Sequence, residues 1–129
     1  MSIGRTIVGL WRSREETREH HRDPNLRTRY YREPRDRMVE KVVEVIRGQL
    51  RGWHVVHVSR DHGEIVVERR HWLGTRDITI TVYHVSPMRS AVDIVSSKRG
   101  SFGDLGASYA DILAFFQALN RVAQLEQKS

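Results

Sequence analysis

The chain has 129 residues, no cysteine and a formal charge of +6. That length suits one domain with a core of its own, and the lack of cysteine excludes disulfides, thiolate metal sites and cysteine nucleophiles. Of its 22 basic residues only Lys41, Lys98 and Lys128 are lysine, so arginine, which makes bidentate phosphate contacts, dominates the charge and invites a nucleic-acid reading.

No stretch approaches the roughly 20 apolar residues of a membrane helix. The apolar run Ile7 to Trp11 is too short for the core of a signal peptide. A cytoplasmic protein with no membrane span is the expectation.

Ile3, Ile7, Leu10 and Trp11 fall at helical spacing, which predicts a short amphipathic helix. The charged run Arg12 to Asp23 follows, and residues 1–25 together read as an extension. So short a helix is marginal alone. It must dock on its own domain, on a second copy to give a homodimer, or on a membrane surface. His20 and His21 have no third ligand at metal spacing and read as a solvated pair.

Asp23-Pro24-Asn25 is a turn signal, and Leu26 to Tyr31 alternates as the first strand of a domain spanning 26–126. Tyr30 and Tyr31 beside Arg27, Arg29 and Arg32 either stack on bases or half-fill that strand, the second being the more ordinary arrangement. Glu33-Pro34 opens a helix with proline at its first position, and Gly48 closes it. Met38, Val42, Val45, Ile46 and Leu50 carry its apolar face, helped by Val39 and Val43.

Trp53 to Arg60 and Glu64 to Trp72 form a hairpin about Asp61-His62-Gly63. The favoured register puts Trp53, Val55 and His57 on a face with Ile65, Val67, Arg69 and His71, leaving His54 opposite Arg70. His57 then points inward, where a lone histidine is more often structural than catalytic. Leu73 to Arg76 turns the chain into the strand Asp77 to Val85, whose Ile78, Ile80 and Val82 alternate with Thr79, Thr81 and Tyr83. Ser86-Pro87-Met88 breaks it, and Ala91 to Val95 makes the next strand around a single Asp93, read as an edge or solvent-facing carboxylate.

The following loop runs from Ser96 to Gly106. Ser96, Ser97, Lys98, Arg99, Gly100, Gly103, Asp104 and Gly106 are the candidate anion or ligand site, because cations, hydroxyls and free N–H groups before a helix favour negative charge. The spacing GxxGxxG matches neither the dinucleotide nor the P-loop motif, and an ordinary strand-to-helix turn explains the glycines equally. Ser108 and Asp111 read as a variant capping box opening the last helix. Its stripe is Tyr109, Ile112, Leu113, Phe116, Leu119 and Ala123.

The fold class is α+β. An antiparallel sheet of about five strands is covered on one face by two helices in the order strand, helix, four strands, helix, after an N-terminal extension. That order resembles folds of the TATA-binding-protein or helix-grip type. Asp93, Ser96, Arg99, Asp104, Leu105 and Gly106, with Ser108 in place of a usual asparagine, resemble the C-terminal signature of the bacterial domain-of-unknown-function family numbered 1499. The resemblance implies fold and kinship; that family has no established activity, and many relatives look exported or anchored.

The expected function is a non-enzymatic binding or interaction domain, with the loop and the exposed sheet face as surfaces for a partner or a second copy. The alternative is a basic nucleic-acid-binding protein. No cofactor or metal is called for. Enzyme chemistry is the weakest reading: Ser96, Ser97 and His84 offer the residue types, but GxSxG is missing.

Overall fold

The computed structural model describes residues 14–72, 74–98 and 107–126. Strand β1 is Arg14–Glu16, β2 Arg29–Tyr31, helix α1 Arg35–Gln49, β3 Trp53–Ser59, β4 Glu64–His71, β5 Gly74–Ser86, β6 Arg89–Lys98 and helix α2 Ala107–Leu119. The pairings between these strands are antiparallel. The six-stranded sheet runs β1-β6-β5-β4-β3, with β2 also paired to β6. The fold is therefore α+β, with two helices packed on the sheet.

Alternation makes the core. Ile65 and Val67 on β4, Ile78, Ile80 and Val82 on β5, and Val92 and Ile94 on β6 point to one face and are buried, while Thr79 and Thr81 point away. Met38, Val39, Val42, Val43, Val45 and Ile46 of α1 and Ile112, Phe115, Phe116, Ala118 and Leu119 of α2 cover that face. Valine is a poor helix former, so this burial rather than propensity holds α1 together. Proline stands at the N-cap of α1 rather than inside its first turn, and the helix runs through Gly48 to end at Gln49. A left-handed glycine, Gly52, follows at φ +80°, where a Cβ would meet the carbonyl of Arg70 at 2.9 Å.

The charged run before Leu26, expected as linker, enters the sheet. β1 and β2 lie end to end along β6, at Ser97 to Val95 and at Val92 to Ser90. Between them residues 18–28 loop out and return, closed by Arg18 N–H to the Leu26 carbonyl at 3.0 Å and Thr28 N–H to the Arg18 carbonyl at 3.2 Å. Asp23 caps the 3-10 turn Pro24–Leu26. His21 is buried rather than solvated, and its Nδ1 accepts the N–H of Asp23 at 3.0 Å. The expected amphipathic helix at Ile3 to Trp11 lies outside the described residues.

The β3–β4 hairpin corrects the expected register. Ser59 pairs with Glu64, so the loop has four residues, and an irregularity at Val56 shifts the pairing again, giving His54 opposite Glu68 and Trp53 opposite Arg69. A bulge changes the phase of every residue on one side of it. Trp53, Val55 and Val58 accordingly turn toward the core, and His57 is exposed. The β4–β5 reversal comes earlier than expected, with His71 already paired to Gly74, so Arg76 belongs to β5.

Candidate functional site

Alternation along β5 places Arg76 in phase with Ile78, Ile80 and Val82, and it is 5% exposed on the core face. A buried guanidinium requires a counter-charge. Helix spacing supplies one, because Asp111 lies three and four residues from Ser108 and Phe115 on the buried side of α2. Its Oδ2 accepts from Arg76 Nε, and its Oδ1 accepts from Arg76 Nη2 at 3.1 Å and from Arg69 Nε of β4 at 3.0 Å. Ser96 Oγ of β6 donates to Oδ2 at 3.1 Å.

Three strands thus converge on one carboxylate. Arg69 also reaches the carbonyl of Arg51 through Nη1 at 3.0 Å, which ties the α1–β3 turn to the same group. A second buried carboxylate, Glu15 of β1, lies opposite Ser96 on the same face. The carboxylate oxygens of Asp111 are taken up within the fold. Chemically this arrangement is a brace between the start of α2 and one end of the sheet.

The expected ligand loop begins later than its sequence suggested. Ser96, Ser97 and Lys98 are residues of β6; Ser96 is wholly buried and serves Asp111, and Ser97 pairs with Arg14 and Asp77 on the outer face. Arg99, Gly100, Gly103, Asp104 and Gly106 lie outside the described residues. Asp93 is held by hydroxyls: Thr17 Oγ1 and Thr28 Oγ1 donate to its Oδ1 at 2.7 and 2.6 Å, and Thr17 Oγ1 also accepts the N–H of Ile94 at 2.8 Å. These two hydroxyls fill the gap between β1 and β2. The pairing of Asp111, expected as a capping residue, with Arg76 and Arg69 has a sequence signal after all: a carboxylate inside an apolar helix stripe and an arginine in phase with inward isoleucines.

Tyr30 and Tyr31 both make hydrogen bonds within the fold. Tyr31 is wholly buried and donates to Asn120 Oδ1 at 2.6 Å; burial raises its phenol above the usual value of 10.0. Tyr30 donates to Glu19 at 2.8 Å, and partial desolvation together with that carboxylate raises it too. Arg29 lies over the Phe116 ring at 4.6 Å, and desolvation lowers its pKa.

Two polar features remain. Arg35, Asp36, Val39, Arg60 and Asp61 line a surface cleft of about 420 Å³. Its arginines are committed, Arg35 Nη2 to the carbonyls of Arg60 and Asp61 at 3.0 and 2.6 Å, and Arg60 Nε to Glu40 at 2.6 Å, whose carboxyl is held low by that hydrogen bond. Ser59 Oγ and His62 Nδ1 are 2.9 Å apart on the exposed β3–β4 turn. Among the described residues no group of three or more His, Asp or Glu side chains is placed to hold a metal ion, and no helix is long and apolar enough to cross a membrane. No family model matches this chain, and no curated protein matches it either.

Proposed function

We propose that this chain is a non-enzymatic interaction domain, cytoplasmic in location, that uses its interior polar cluster as a brace and its outside as the working surface. The observation that carries this is the closure of Asp111: a reacting group must have a free lone pair or proton aimed at a substrate, and its oxygens face Arg76, Arg69 and Ser96. The layering and element order support an arrangement of the TATA-binding-protein or helix-grip type. Kinship with the family numbered 1499 rests on Asp93 and Ser96, together with the sequence of the junction that follows.

A brace and a catalytic carboxylate respond oppositely to substitution. Groups held for chemistry often sit at a cost in stability, so replacing them leaves a fold unchanged or firmer. Asp111→Asn here removes the carboxylate that Arg76 and Arg69 share and should cost about 3 kcal/mol or more in urea unfolding. Unchanged or increased stability would remove the reading.

Nucleic-acid binding keeps the support of the +6 charge alone. Tyr31 is interior, Tyr30 is hydrogen-bonded to Glu19, and the outer sheet face carries Glu64, Glu68, Asp77 and Asp93, which repel a polyanion. Retention of an oligonucleotide at low salt, weakening steeply as salt is added, would restore it.

A further inference from the structure

Trp72 stands at the β4–β5 reversal and is 86% exposed, the most exposed of the large hydrophobic side chains described. His71 beside it is exposed as well, its ring 5.7 Å from the indole. Exposed arginines stand nearby. Two hydrogen bonds hold the α1–β3 turn against the base of this hairpin: Arg70 N–H donates to the Gly52 carbonyl at 2.8 Å and Arg69 Nη1 to the Arg51 carbonyl at 3.0 Å. Arg51 is therefore a neighbour of the tip, and Arg47 in the last turn of α1 precedes it; both are exposed. Arg70, two-thirds exposed, is paired with Glu68.

We propose that this end of the molecule is a peripheral membrane contact, in which Trp72 enters the interfacial layer of an anionic phospholipid bilayer while Arg47 and Arg51 face the headgroup phosphates. This rests on the interaction-domain reading and names its partner. An indole favours the boundary between headgroups and acyl chains, where its body is in apolar surroundings and its N–H stays wet. Exposed arginines add attraction to anionic lipid at short range. The shape decides between two polyanions. A single-stranded nucleic acid follows a groove and stacks on successive aromatics, and from this tip it would have to pass the carboxylates of the outer sheet face. A membrane plane crossing the hairpin end meets the indole and its arginines and leaves that face in water.

The test is co-sedimentation of the full chain with vesicles of phosphatidylcholine alone or with phosphatidylglycerol added. The expected result is pelleting with the anionic vesicles only, reversed by salt, weakened about tenfold by Trp72→Ala and about fivefold by Arg51→Ala, with unfolding curves of both variants unchanged. No pelleting with anionic vesicles, equal pelleting with neutral ones, or pelleting indifferent to Trp72 and Arg51 overturns the proposal. So does Trp72-dependent binding of a single-stranded oligonucleotide without vesicle binding. A destabilised Asp111→Asn with no vesicle binding would leave the interaction-domain reading standing and sink only this one; a stable Asp111→Asn would sink that reading whatever the vesicles do.

Discussion

Tyr31 shows how one side chain couples the core to pH. Its hydroxyl donates to Asn120 from a fully buried position, and burial makes the ionised form unfavourable in the fold. The folded phenol thus keeps its proton to higher pH than the unfolded one, which ionises near 10.0. The stabilisation is complete below that value and is lost as pH rises above it. Stability measured by urea unfolding should fall through the alkaline range, and Tyr31→Phe should flatten the fall while costing about 1 kcal/mol at neutral pH for the lost hydrogen bond. A wild-type alkaline slope in Tyr31→Phe would assign the dependence to another group. At this scale the sequence was partly legible. Tyr31 as a strand residue follows from its neighbours, but its partner is 89 positions away and no local pattern announces it.

The elements show where periodicity succeeds and where a small offset defeats it. Helix α2 and strands β5 and β6 come directly from apolar spacing. The buried stripe of α2 is turned from the expected one: Phe115 is wholly buried and stacks with Trp53 at 6.3 Å, while Leu113 is 36% exposed. Two adjacent phenylalanines and a leucine permit either rotation on hydrophobicity alone. What decides is Asp111, which has to face Arg76 and fixes the helix about its axis. Phe115→Ala should therefore cost about 3 to 5 kcal/mol, and Leu113→Ala less than about 1 kcal/mol, read from chemical unfolding. Equal losses would restore the original stripe. On β3 the bulge at Val56 had no comparable signal, since Val55, Val56 and Val58 fit both phases, and His57 moved outward as a result.

At the scale of the molecule, one sheet edge is built from two short strands held in line by hydroxyls, and one sheet end is closed by charge. The class, the antiparallel sheet and the helical layer follow from the order of elements. The contribution of residues 14–31 does not, because Arg, Glu and Thr on an edge strand look like a solvated run until β6 is beside them to bury Glu15 and Thr17. The polar cluster was half-readable for the same reason: Ser96 was singled out, but as a loop hydroxyl rather than as one corner of a buried network. That network joins β4, β5 and β6 to α2 and, through Arg51, to the turn after α1. It sets the attitude of the helix layer over the sheet and holds the end that carries Trp72. The direct measurement is a double-mutant cycle in urea unfolding with Asp111→Asn and Arg76→Met. If the two act as one brace, the second substitution costs far less once the first is made, with a coupling of about 1 to 3 kcal/mol; additive losses would contradict the account.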